Sequence, residues 1–306
     1  MARSDSFVDN NFTMHERKID NWQEPLAGSI NAPELERQYV HEVYDTIAES
    51  FSDSRYAPWP GVMRFLRSLP PGSWGADIGC GNGKYLVAVA RDKLSLSPLL
   101  ASDTSARLLD LVRGRGFDAV AANLLSLPYR PSLLDFFICV AVLHHLATPQ
   151  RRLEGLQSMA SLLKVGGLGL IQVWAKDQHR EGQATAYLQG GKTDSTKGVV
   201  MASAVVPGGG VIPVQKLRTP FVASDVLLPW NASKKKAETT TKVEAMRYYH
   251  VFEANELEDL IAQLIICVVL RATETLGEPV PSLETSSKVE EDSIRAGCVL
   301  SKYRRV

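Results

Sequence analysis

Asp77-Ile78-Gly79-Cys80-Gly81-Asn82-Gly83 has the make-up of a ligand loop. An apolar run from Trp74 to Ile78 leads into it and an apolar-periodic segment from Tyr85 leads out, which reads as strand, glycine turn, helix. The alternating glycines let the backbone turn tightly and lie against a ligand with no Cβ in the way. The helix start behind them offers free N–H groups and the positive end of a dipole. A carboxylate at the strand end repels a pyrophosphate but suits a cation. The pattern D-x-G-x-G-x-G therefore points to S-adenosylmethionine, with its ammonium and sulfonium, over a dinucleotide. The plainer reading is an ordinary glycine turn.

Asp103 closes the next strand, 20 residues beyond Gly83. An acid there can accept both hydroxyls of a ribose, or simply cap the following helix. Asn123, at the end of a third strand, offers a donor and an acceptor to an adenine edge, or else serves its own turn. His144-His145 follow the apolar run Phe136 to Leu143. Adjacent side chains diverge, so the pair does not read as a metal chelate, and no metal site is expected. Arg151-Arg152 occupy a first helical turn, where the dipole disfavours cations; they are either a solvated pair or an anion site. Trp174 ends a fifth strand and could wall a pocket. Two further stretches, Arg55-Tyr56-Ala57-Pro58-Trp59 and Arg247-Tyr248-Tyr249-His250, mix cations with aromatics. Such a mixture suits an unstacked base carrying an anionic group; an edge strand with one buried face is the alternative for the second stretch.

The elements that must hold these residues alternate. Residues 31–176 read as the α/β core, five strands of a doubly wound, mostly parallel seven-stranded sheet whose last strand is antiparallel, with ligands beyond the carboxyl ends of the strands. Residues 1–30 read as a flexible tail. Residues 177–245, rich in Gly, Ser, Thr and Lys, read as a mobile, low-order insertion in which Val226 to Trp230 could fold back onto the core. Residues 246–306 are expected to complete the same sheet, through a helix from Asn255, a strand at Leu264 to Arg271 and another at about Ala296 to Lys302.

The totals narrow the partners. The 306 residues carry 34 basic and 34 acidic side chains, so no bulk field draws the chain to nucleic acid, and any such binding must come from a local patch. Cys80, Cys139, Cys267 and Cys298 show no C-x-x-C spacing, which argues against a structural zinc and a disulfide framework. The first residues lack the apolar core of a signal peptide. The stretch Leu260 to Leu270 is too short for a bilayer. A cytosolic or nuclear protein without membrane contact is expected.

Arg55-Tyr56-x-Pro58-Trp59-Pro60, Asp77 to Leu86, Ala141-Val142-x-His144-His145, Arg151-Arg152 and Arg247 to Phe252 together resemble the tRNA wobble-uridine carboxymethyl methyltransferases. They are similar also to the methyltransferase part of the AlkB-type dioxygenase fusion proteins. The likeness covers about Gln38 to Lys176 and returns at Met246 to Leu260. It implies a class I, Rossmann-like methyltransferase in stand-alone form, esterifying 5-carboxymethyluridine of tRNA with S-adenosylmethionine beside a small zinc-binding activator subunit. Asn123 departs from the Asp usual in that family. The motif residues and the strand-end reading together give Asp77, Gly79, Gly81, Gly83, Asp103 and Asn123 as the expected cofactor set. They give Tyr56, Trp59, His144, Arg151, Arg152, Trp174, Tyr248, Tyr249 and His250 as the expected substrate set. A carboxylate is already ionised at neutral pH and needs no general base. The work expected of Arg55, His145 and Arg247 is therefore to position it and exclude water. A small-molecule carboxylate methyltransferase and a non-catalytic paralogue binding RNA or protein stay open beside this reading.

Overall fold

Five adjacent strands of the larger sheet are parallel: β1 (Gly75–Ile78), β2 (Leu100–Asp103), β3 (Val120–Ala121), β4 (Leu134–Val140) and β5 (Leu163–Trp174). The computed structural model describes residues 29–180, 183–189, 198–231, 244–264, 283–286 and 298–305. β4 is a near-continuous apolar run because both faces of a parallel sheet are covered. Its side chains divide by alternation. Phe137 and Cys139 join one core with Leu156 and Met159 of the helix Pro149–Ser161, whereas Phe136 and Ile138 join another with the helices Pro60–Arg67 and Lys84–Arg91.

β1 lies between β2 and β4. The chain leaves β1 for β2 on one side and later returns to β4 on the other, and this reversal opens a crevice at the strand ends. The edge beyond β5 is antiparallel: β13 (Cys298–Arg305) pairs with β5, and β12 (Leu283–Ser286) pairs with β13. The proposed tail up to residue 28 and the proposed strand residues beyond Leu264 lie outside the described residues; Leu264 itself is helical.

Two expectations are corrected. The stretch read as a low-order insertion supplies β8 (Val200–Val205), β9 (Val211–Gln215) and β10 (Asp225–Asn231), after a small hairpin of β6 (His179–Arg180) and β7 (Gln183–Ala184). β11 (Glu244–His250), expected in the large sheet, instead pairs antiparallel with β10 and makes a second, four-stranded sheet in the order β11-β10-β9-β8. Glycines at the turns and lysines beyond β10 dominate the composition and mask short apolar strands. Val200, Ile212, Val214, Val226 and Leu227 are all buried.

This second sheet packs on the N-terminal helix, which runs through Ala32–Glu36, a π turn at Arg37–His41, and Glu42–Ser54. Asn31 caps it: the side chain accepts from Glu34 N at 3.3 Å. Leu35 and Val40 share a core with Ile212, Val214, Leu227 and Tyr248. The sheets meet at a parallel bridge, Ala175 to Phe252. Among the described residues no helix is long and apolar enough to cross a membrane.

Candidate active site

A cleft of about 600 Å3 opens at the crevice beyond β1 and β4 and is roofed by the N-terminal helix and the second sheet. Its floor is the glycine loop. Gly79, Gly81 and Gly83 have φ of 72°, 55° and 74°, conformations that L side chains resist. A Cβ at Gly79 would sit 2.2 Å from Val142 Cγ2. Gly81 N donates to Asp103 Oδ2 at 2.8 Å, and Ser105 N donates to Asp103 Oδ1 at 2.9 Å. Asp103 therefore does two jobs at once: it pins the loop and turns the chain, and it still presents lone pairs to the cleft.

Asp77 is 1 % exposed, and its Oδ2 has no partner among the described residues. Burial pushes its carboxyl up to about 7, against the pull of Lys84. A buried, unpaired acid at the cleft floor is a receptor for a cation, so the donor set fits the ammonium end of S-adenosylmethionine. Asn123 lines the cleft, but its Oδ1 accepts from Leu125 N at 2.9 Å, which spends the acceptor on its own turn.

The opposite wall is polar in a directed way. Arg247 Nη1 donates to Tyr249 Oη at 2.8 Å; Tyr249 Oη lies 3.3 Å from Tyr44 Oη, which lies 3.1 Å from His145 Nε2. His145 Nδ1 is 2.8 Å from the carbonyl oxygen of Tyr248. Burial holds the pKa of His145 at about 3, so its ring is neutral. A carbonyl can only accept, so Nδ1 donates to Tyr248 and Nε2 accepts from Tyr44; Tyr44, its proton used, accepts from Tyr249, and Tyr249 accepts from Arg247. His145 lines the cleft with both ring nitrogens held by the protein, so it braces the relay.

His144 is the complement. Its Nδ1 accepts from Trp174 N at 3.4 Å, so the neutral ring carries its proton on Nε2. That Nε2 is buried, with no partner among the described residues. Burial holds this ring well below the usual histidine range, leaving one N–H donor at the cleft. Arg247 is 6 % exposed, has no carboxylate partner among the described residues, and keeps an unpartnered Nε. Arg55 and Trp59 also line the cleft, as do Trp174 and Tyr249, whose ring centroids are 6.2 Å apart.

Five expected site residues lie elsewhere. Tyr56 is 76 % exposed, outside the cleft lining. Arg151 grips the buried Glu36 with two bonds of 2.7 and 2.6 Å, and Glu36 also accepts from Ala147 N. Arg152 donates to Leu146 O and Glu256. Tyr248 Oη donates to Asp225 at 2.5 Å, and His250 sits between Asp225 and Glu256 at 2.9 and 2.7 Å. Their apparent availability was an illusion of the local sequence, because every partner is more than five residues away. Gly83 shapes the turn without lining the cleft. Of the other cleft residues, Tyr44 is legible in the sequence only as one of a buried helical face, and Trp230 only as the end of an apolar run. Among the described residues no group of three or more His, Cys, Asp or Glu could hold a metal.

A family model described as a methyltransferase domain matches residues 76–171. The tRNA (carboxymethyluridine(34)-5-O)-methyltransferase of Schizosaccharomyces pombe is 34% identical over 241 residues, 74% of this chain and 88% of that protein. The protein of the same name from Xenopus tropicalis is 39% identical over 253 residues, 78% of this chain and 40% of that one. The chain spans about two fifths of the length of the vertebrate relatives it matches. A solved S-adenosylmethionine-dependent methyltransferase from Clostridium acetobutylicum shares the fold, with TM-score 0.51 and 11% identity, over 86% of this chain and 95% of that one.

Proposed function

We propose that this chain, which belongs to the tRNA (carboxymethyluridine(34)-5-O)-methyltransferase family, methylates the carboxylate of 5-carboxymethyluridine at the wobble position of tRNA. One observation carries the reading: a buried guanidinium, Arg247, faces the same cleft as the acids Asp77 and Asp103 without a carboxylate of its own among the described residues. An uncompensated buried cation is costly unless an anion completes it. The floor of the cleft suits a cationic cofactor and the wall suits an anionic substrate.

S-adenosylmethionine supplies the methyl group on a sulfonium when bound on the glycine loop. Asp77 would hold its ammonium, Asp103 its ribose, and the glycines would admit its backbone-hugging portion. The residues facing it have no proton to remove, since the substrate acid is ionised at neutral pH. Their task is orientation. Arg247 and the Nε2–H of His144 would receive one carboxylate oxygen, and the other is left uncapped so that it keeps its nucleophilicity. The relay through Tyr249, Tyr44 and His145 fixes the guanidinium and uses up hydroxyl protons that would otherwise bind that second oxygen. Trp174, Trp59 and Tyr249 supply ring faces for an unstacked base.

The same reading includes tRNA and a small zinc-binding activator subunit as partners, with any zinc belonging to the activator. The test is methyl transfer by the full chain with its activator, using tRNA carrying 5-carboxymethyluridine or small carboxylic acids as acceptors. Ester formation on the tRNA nucleoside is expected. Transfer to small acids alone, or no transfer, would overturn the proposal.

A further inference from the structure

We infer that Trp230, from the segment whose composition reads as low-order, is the positioning residue that gathers Arg55 and Arg247 into one anion clamp. This rests on the carboxylate reading above. Arg247 Cζ lies 4.6 Å and Arg55 Cζ 5.8 Å from the centroid of the Trp230 ring. The two cations come from unrelated places: Arg55 follows the helix Glu42–Ser54, and Arg247 is on β11. Trp230 links them. Leu228 is directly opposite Arg247 in the β10–β11 pair, so Trp230, two residues on, is its diagonal neighbour on the same face.

The ring is fixed from behind. Trp230 is 8 % exposed; its Nε1 donates to Ser50 Oγ at 2.9 Å, and Ser50 Oγ donates to the carbonyl of Ile47 at 3.0 Å. It packs with Val43, Ile47 and Ala245, and its centroid is 6.1 Å from that of Phe51. Arg55, by contrast, is exposed, and its one side-chain bond among the described residues is to the neighbouring Ser54 carbonyl at 3.2 Å. Two guanidiniums beside one ring repel each other. The negative face of the indole offsets part of that cost, and neither arginine has a carboxylate among the described residues, so the arrangement is complete only with an anion. Holding Arg55 there in advance removes the rotamer entropy that a long exposed side chain would lose on binding.

The experiment measures KM and kcat for tRNA carrying 5-carboxymethyluridine, with the full chain and its activator, and S-adenosylmethionine affinity by calorimetry. Trp230→Leu is expected to raise KM about tenfold, and Trp230→Phe, which keeps a ring face, to recover most of it. S-adenosylmethionine affinity is expected to stay unchanged in both. In a double-mutant cycle with Arg247→Lys the two losses are expected to be less than additive. A wild-type KM in Trp230→Leu, or equal losses for cofactor and tRNA, would overturn the clamp. If Trp230→Leu binds no cofactor because it fails to fold, Ser50→Ala removes only the acceptor of the indole N–H. It is then expected to raise KM about threefold, and an unchanged KM overturns the proposal. A wild-type chain inert on this tRNA would refute the proposed function separately. The clamp is then read by titrating wild type and Trp230→Leu with 5-carboxymethyluridine nucleoside and with uridine. The clamp predicts a preference for the carboxylate that Trp230→Leu loses; no preference in wild type contradicts it.

Discussion

The two walls of the cleft are built in opposite ways. The cofactor wall comes from two neighbouring turns at the ends of β1 and β2, where Asp77, the glycines and Asp103 lie side by side and are joined by bonds such as Gly81 N to Asp103. The substrate wall is assembled from three remote pieces, the N-terminal helix, β10 and β11, joined by side chains such as Tyr44 and Trp230. A wall made of two adjoining turns stands or falls with them. A wall made of distant pieces can lose substrate binding while cofactor binding is untouched.

The largest expected effect separates the walls from the substrate side. Arg247→Ala should lower kcat/KM on tRNA by about 300-fold, the range for removing one partner of a buried charge pair, with S-adenosylmethionine affinity unchanged by calorimetry. A parallel loss of both would merge the walls. From the cofactor side, Asp77→Ala should weaken S-adenosylmethionine by about a hundredfold, as for a lost charge-assisted bond. The apparent KM for tRNA at saturating cofactor should move little; a matching rise in that KM would break the comparison.

The next effect is about tenfold per pH unit, and its sign follows from Asp77. With its carboxyl pushed up to about 7, the free protein holds Asp77 protonated below that pH. A bound ammonium favours the ionised form, so binding must release the proton there. S-adenosylmethionine affinity should fall as pH drops below about 7 and level off above it. Asp77→Asn should flatten the profile, and a flat wild-type profile would remove Asp77 from the account.

The smallest effect concerns the frame behind the substrate wall. His250 lies between Asp225 and Glu256; burial works to lower its pKa, but the bonds to these carboxylates outweigh it and raise the pKa above the ordinary histidine range. A raised histidine contributes stability that is fully present below its unfolded pKa and lost as pH rises through its folded one. His250→Gln should cost about 1 kcal/mol at pH 6, discounted because Asp225 is 40% exposed. The cost should shrink by pH 9 in denaturant unfolding. A pH-independent cost would show that His250 is neutral in the fold.

Legibility in the sequence follows the same division. Asp77 to Gly83 and Asp103 could be read because their signals are local: carboxylates at strand ends and glycines where φ is positive. Arg247 and Tyr249 could be picked out by composition, but Tyr248 and His250 came with them. Successive side chains on a strand face opposite ways, so once β11 is known to be a strand, Arg247 and Tyr249 share the cleft face and their neighbours share the other. Arg151 and Arg152 looked like an anion site because Glu36 and Glu256 are remote in the chain. Trp230 could not be assigned at all without the β10–β11 register. The two histidines could be named but not told apart, since their roles depend on which nitrogen each neighbour engages.

The central claim is that Arg247 is a receptor for the substrate carboxylate and not a structural group. Arg247→Met tests it most directly, by nucleoside mass spectrometry of tRNA incubated with S-adenosylmethionine and the chain plus activator. The account predicts that wild type yields the methyl ester of 5-carboxymethyluridine. The variant should leave the free acid, while binding S-adenosylmethionine as well as wild type and unfolding no more easily, because a buried unpaired cation has been replaced by an apolar side chain. Ester formation at the wild-type rate by Arg247→Met would contradict the claim.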